Sequence, residues 1–138
     1  MSYLDTKQAL ITQLLTVVDS TDVTFENKYF DPKTKPFYFA ASFHPATSEA
    51  LGKTLASSKE DRGFFQVSVF VTADTIESDN VQLEKIDLIA SAFNESTSIE
   101  YNGQTVDILD STLNTGTENE SWYKRDLTIN YLTFSNRN

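Results

Sequence analysis

Carboxylates are the most abundant chemically capable side chains in this 138-residue sequence, with 20 Asp and Glu against 11 Lys and Arg, one His and no Cys. Pairs of them stand at Asp107 and Asp110, at Glu118 and Glu120, and at Glu77 and Asp79. Two carboxyls do general acid–base work only when they converge on one cleft and their surroundings push their pKa values apart. The first pair falls on an expected hairpin edge and the second in a polar loop, so both read as solvated surface. Glu77 and Asp79 could ligate a hard cation, but the spacing and central Gly of a calcium loop are missing around them. Without Cys there is no disulfide, no thiolate zinc site and no thiol nucleophile. A single His44, set before Pro45 at a strand end, gives neither a His-based metal centre nor a Ser-His-Asp triad. The four Gly, at 52, 63, 103 and 116, make no phosphate-cradling loop. The chain therefore reads as non-enzymatic, with no catalytic residue, no metal and no cofactor expected.

Charge is distributed unevenly. The formal net charge is −9. Residues 76–121 hold one basic residue against ten acidic, whereas residues 122–138 hold three against one. An acidic excess argues against binding to a phosphate backbone, which Lys and Arg drive. Aromatic strands can stack single-stranded bases, and Phe37, Phe39, Phe65 and Phe70 are placed on such strands. Without a basic groove beside them, core packing is the better account. The apolar share of 39% and aromatic share of 12% suffice for a packed core and exclude a disordered acidic chain. No apolar run approaches the ~20 residues of a membrane helix, and no signal-peptide pattern opens the sequence, so a cytoplasmic protein without membrane contact is expected. The sequons at Asn94 and Asn119 then read as chance matches.

The elements that must position these residues follow from periodicity. Leu10, Ile11, Leu14, Leu15 and Val18 recur at helical spacing after Ser2 and Asp5, which predicts a first helix ending near Asp19. Residues 24–30 are a weak strand leading into the turn Asp31-Pro32-Lys33. Phe37 to Phe43 alternates as a strand, with Phe37, Phe39, Ala41 and Phe43 on one face. From His44 to Arg62 the periodicity stops, which predicts a long loop. Gly63 to Thr72 is a strong strand, with Phe65, Val67, Val69 and Val71 on one face. Asp79 and Gln82 have the spacing of a capping box, and Leu83, Ile86, Ile89, Ala90 and Phe93 then make a helix over 80–94. Asn102-Gly103 between two short strands is a hairpin signal. Residues 111–121 form a second loop, and Trp122 to about Phe134 the last strand. Few helices and loop-joined strands point to one α+β domain over 1–138. Its expected form is an antiparallel β-sheet of four to six strands packed against two helices, with a long mobile loop at about 44–62.

The ordered set of these motifs resembles the small phage tail terminator (tail completion) family of lambda type. Arg62-Gly63-Phe64-Phe65-Gln66-Val67-Ser68-Val69-Phe70-Val71 is similar to that family's central strand, a Gly and an aromatic followed by Gln-Val and a second Phe. The turn at Asp74 to Asp79, the helix ending in Phe93, the hairpin at Tyr101 to Val106 and the last strand opening on Trp122-Tyr123 follow in the family's order. The first helix and the Pro36-Phe37-Tyr38-Phe39 strand also fit, so the likeness spans roughly residues 4–132. Two departures stand out. Asn94 to Ser98 replaces a basic or Gly-containing turn, and the 44–61 segment matches in length but not in sequence.

The resemblance implies a structural virion protein that catalyses nothing. It implies a homo-oligomer, a hexameric ring, that caps the major tail tube protein, halts tube growth and presents a surface to the head–neck connector protein. Its place would be the head-proximal end of the tail, after assembly in the host cytoplasm. DNA would pass through the ring without specific binding. A head–neck adaptor or a polymerising tube-like subunit is the alternative. On this reading Leu51, Lys53, Leu55, Lys59 and Arg62 of the 44–62 loop are candidates for contact with the tube or a neighbouring subunit. Glu77 and Asp79 against Lys124 and Arg125 are candidate charge patches between subunits. Glu100, Asp107 and Asp110 are candidates for an acidic lumen wall that repels phosphates.

Overall fold

The computed structural model describes residues 3–25, 37–50, 58–72, 76–95, 97–114, 116–119 and 122–136. The first helix, α1, spans Tyr3–Leu14 and buries Thr6, Ala9, Leu10 and Leu14 along one stripe. A short 3-10 turn at Ser20–Asp22 follows, capped by Asp19, whose side chain accepts a hydrogen bond from the Thr21 N–H. Seven strands and a second helix complete the order: β1 (Val23–Phe25), β2 (Phe37–Ala50), β3 (Ser58–Thr72), α2 (Ile76–Ala92), β4 (Ser98–Tyr101), β5 (Gln104–Leu113), β6 (Thr117–Asn119) and β7 (Trp122–Asn136). The fold is α+β, as the spacing of the elements predicts.

Six strands lie side by side in the order β1-β2-β3-β7-β5-β4, and short β6 pairs with β7 beyond the end of β5. All pairings are antiparallel except β1 with β2, which is parallel because residues 26–36 separate the two strands. The sheet is therefore mixed at one edge, a departure from the wholly antiparallel expectation. The turn at Asn102 and Gly103 has φ of 51° and 82°, the pair of positive values that a tight two-residue hairpin needs.

Two expected loops are largely strand. β2 and β3 stay paired out to Ala50 opposite Lys59, so 44–50 and 58–62 form a hairpin arm. The bulge between Pro45 and Thr47 absorbs a residue that breaks the alternation, which is why periodicity alone stops at His44. Residues 51–57, with Leu51, Lys53 and Leu55, lie outside the described residues. Likewise β5 continues to Leu113 and β6 to Asn119, covering most of the expected 111–121 loop. A bulge between Ile108 and Asp110 shifts the register there and hides the strand from a period-two reading. The second helix also begins earlier than expected, at Ile76, which places Asp79 in its first turn instead of at its cap.

One face of the sheet carries the core. Phe39, Ala41, Phe65, Val67, Val69, Leu127, Ile129 and Tyr131 project from β2, β3 and β7 toward the helices and are buried. From α2 come Ile86 and Ile89, and just past its end comes Phe93, whose ring centroid lies 6.0 Å from that of Phe65. Glu84, Asp87 and Glu95 stay on the solvent side of that helix. The Gln13 side-chain amide donates to the Ala92 carbonyl at 2.8 Å and ties α1 to the last turn of α2. Each fully buried Leu, Ile or Phe contributes about 1.5–3 kcal/mol, so this one face supplies most of the folding drive. Among the described residues, no helix is long and apolar enough to cross a membrane.

Gly63 on β3 stands between Pro45 of β2 and Tyr131 of β7. A Cβ there would lie 2.5 Å from the His44 carbonyl oxygen and 2.7 Å from the Tyr131 hydroxyl. The first contact is backbone and cannot swing aside. Gly63→Ala is expected to lower stability by about 1–3 kcal/mol, the range for overpacking. Denaturant unfolding should show a lower midpoint with an unchanged slope.

Candidate functional site

Among the described residues the helices pack on one sheet face and leave the other uncovered, and strand alternation decides what that face displays. Register places Tyr38 opposite Phe70, Ala40 opposite Ser68, Ser42 opposite Gln66 and His44 opposite Phe64 across β2 and β3. On β7 the same rows continue as Lys124, Asp126, Thr128 and Asn130. Tyr38 stacks on Phe70 at 4.4 Å, and Trp122 meets Tyr38 edge-on at 4.9 Å. Burial in this cluster raises the Tyr38 phenol above its ordinary pKa. His44 stacks on Phe64 at 4.5 Å and shares a 2.7 Å hydrogen bond between its Nε2 and the Ser42 hydroxyl. The middle of the face is thus small and polar, with aromatic pairs at either side.

The three lumen candidates fall together on this face. Glu100 and Asp107 lie on the side of the β4–β5 hairpin opposite buried Ile99 and Val106, and Asp110 lies opposite Asn130. Asp107 accepts a hydrogen bond from the Ser98 hydroxyl, and Asp110 from the Asn130 side-chain amide. Both are exposed or half-exposed, and neither faces the other across a cleft, which fits a solvated surface and not an acid–base pair. Lys124 on the same face is 3.7 Å from Asp126, and Asp126 also accepts from the Ser68 hydroxyl. Arg62 and Asp110 stand on opposite walls of a shallow groove of about 300 Å³.

Arg125 belongs to the covered face. Its guanidinium lies 3.0 Å from the Asp79 carboxylate in the first turn of α2 and over the Tyr123 ring at 5.4 Å. The nearer N–H is not aligned as a hydrogen bond, so the contact is an ion pair of charge and not of direction. Asp79 and Arg125 therefore answer each other within the chain. Glu77 shares the first turn of α2, and Lys59 lies on β3 opposite Ala50 and Ser135; the side chains of both are outside the described residues. Of the four strand aromatics, Phe39 and Phe65 are core, Phe37 packs at its margin under the Lys85 ammonium, and only Phe70 belongs to the uncovered face. Among the described residues no group of three His, Asp or Glu could hold a metal ion.

Three polar residues escape a reading by periodicity. Gln82, expected in a capping box, is fully buried, and its amide donates to the carbonyls of Val69 (2.8 Å) and Tyr123 (3.1 Å), joining α2 to β3 and β7. Gln104 donates to the Thr6 hydroxyl at 2.6 Å and the Thr133 hydroxyl at 2.9 Å, joining α1 to the sheet. Asp61 is 3% exposed on the covered face. The signal for Asp61 was present in the sequence: the core alternation of Val69, Val67, Phe65 and Gly63, carried one step further back, reaches it.

Comparisons with known proteins agree with this geometry. No curated protein matches the sequence. One solved chain superposes with a TM-score of 0.70 at 20% identity, covering 96% of both chains. A chain from the virion of a native gene transfer agent particle superposes with a TM-score of 0.58 at 13% identity, covering 97% of this chain and all of that one. At such identities these likenesses show the fold alone. The model of the phage tail terminator protein family matches residues 5–131, nearly the whole chain and both faces of the sheet described above, and the chain belongs to that family.

Proposed function

We propose that this phage tail structural protein assembles as a hexameric ring on the last ring of the tail tube. There it ends tube growth and offers the surface that joins the tail to the head–neck connector. The observation that carries the reading is the family match over residues 5–131. The division of the sheet into a helix-covered and an uncovered face supports it, since a ring needs one surface for its wall and another for its channel.

The uncovered face is our choice for the channel. Glu100, Asp107, Asp110 and Asp126 would present carboxylates to passing DNA, and Lys124 is held beside Asp126, which lowers its hold on a phosphate. The β2–β3 arm is our choice for contact with the tube or a neighbouring subunit. Its strands pair out to Ala50 opposite Lys59, Arg62 stands on the arm's flank, and Leu51, Lys53 and Leu55 fall in the sequence between the two strands. The channel repels, and the arm holds.

Three experiments test these assignments. Native mass spectrometry with electron microscopy of the purified chain should show a closed ring of about six times 15.6 kDa and arrest of tube growth when tube protein is added. Long tubes formed by the chain alone would instead identify a polymerising subunit. Replacing residues 51–57 by a short Asn-Gly turn should keep the fold and abolish arrest. For the channel, wild-type protein should wash through immobilised duplex DNA at low salt. A Glu100→Lys, Asp107→Lys, Asp110→Lys variant should be retained there and released as salt rises. Equal behaviour of the two proteins would rule out this face as the channel wall.

A further inference from the structure

Asp61 is buried, and neither of its carboxylate oxygens accepts a hydrogen bond. It lies on the covered face of β3 at the root of the hairpin arm, opposite Ser48 on β2 and Thr133 on β7. Thr133, its buried cross-strand neighbour, has no proton to give. That hydroxyl donates to the Thr105 carbonyl at 2.7 Å and accepts from the Gln104 amide. The Gln104 amide is shared with Thr6, which leaves the Gln104 side-chain oxygen as another buried acceptor without a donor. Tyr131, two residues from Thr133, has its phenol pKa pushed up by burial first, then by the Asp61 charge and by Tyr3 at the start of α1. The neighbourhood is rich in acceptors, and the Thr133 and Gln104 donors are committed to other groups.

An ionised carboxylate in such a place is strongly unfavourable unless a cation joins it. Orphaned buried polar groups are rare in native proteins and mark strain, function or a missing partner. We propose that Asp61 is a receiving seat for a basic side chain of a second copy of this chain, filled when subunits assemble; this rests on the ring reading above. A Lys ammonium brings three donors and an Arg guanidinium five, with no acceptor on either, which complements an acceptor-only site. An inorganic hard cation fits less well, because it wants six or more oxygens and Asp61 is not part of any cluster of potential metal ligands among the described residues. In a cyclic ring every subunit gives one patch and receives a different one, so a single seat per subunit is satisfied all the way round. Asp61 would thus weaken the isolated subunit and strengthen the assembled one.

That opposition of signs is the test. Asp61→Asn and Asp61→Leu variants of the full chain are compared with wild type in two ways, in NaCl and in KCl at matched ionic strength. Thermal unfolding is measured in dilute solution, and self-association by native mass spectrometry across a concentration series. The expected result is a Tm raised by a few degrees together with self-association weakened about tenfold or more. Where the variants differ, Asp61→Asn decides, because it keeps the side chain's shape. A lowered Tm would mean that Asp61 is satisfied inside its own chain. A raised Tm with unchanged self-association would mean that no second copy answers it. A wild-type Tm that follows the identity of the cation, lost in both variants, would assign the seat to an inorganic ion. Each of these three overturns the seat and leaves the ring reading standing. A wild-type chain that stays monomeric at every concentration also overturns it, and tube arrest then judges the ring reading separately.

Discussion

The antiparallel ladder between β3 and β7 is the constraint on which the rest of the structure depends. It runs without a break from Ser58 opposite Asn136 to Thr72 opposite Trp122. At about 3.3 Å per residue it is roughly 50 Å long, well beyond an ordinary strand pair. The other elements attach to its two members directly or through one further strand. β2 and α2 build on β3, while β5 and β6 build on β7, with β4 and α1 beyond. Because register in a sheet fixes which side chains share a face, a one-residue slip in this ladder would exchange the core for the polar face. Val67, Val69, Leu127 and Ile129 oppose such a slip, since it would turn one strand's pair of them out of the core.

That register also explains how one short chain carries two unlike surfaces. Odd-numbered residues of β3 and β7 meet the helices, and even-numbered residues face away. The buried amides of Gln82 and Gln104 bind α2 and α1 to the sheet by directed hydrogen bonds across an otherwise apolar interface. They fix the angle and depth of the helices, which apolar contact by itself leaves free. On the other side, short polar side chains pair among themselves, as Ser68 does with Asp126 and Asn130 with Asp110. The result is a polar surface on which several carboxylates are held by neighbouring side chains.

Where residue type and period agree, the sequence is sufficient to read the fold. The alternation from Phe65 to Val71, the helical stripe Ile86-Ile89-Phe93 and the Asn102-Gly103 turn all lie where their patterns place them. It fails at bulges. The irregularities at Pro45/Thr47 and Ile108/Asp110 interrupt alternation for one residue, and a period-two reading then sees a loop where pairing continues. The surface was only half legible. That Glu100, Asp107 and Asp110 share one face depends on the β4–β5–β7 register, and their acidity could be seen without it. That Asp79 meets Arg125 could not be seen at all, because helix and strand lie 46 positions apart in sequence by way of an intervening hairpin.

The β2–β3 hairpin and the short β6–β7 hairpin are joined at opposite ends of the β3–β7 ladder. Residues 51–57 join β2 to β3 at one end of the ladder, and residues 120–121 join β6 to β7 at the other. A pull between the tips draws β3 and β7 past each other along their length. The hydrogen bonds of an antiparallel pair lie across that direction, so all of them are loaded together instead of being unzipped one at a time. The molecule is thereby built as a tension member, strongest along the axis that links its two ends.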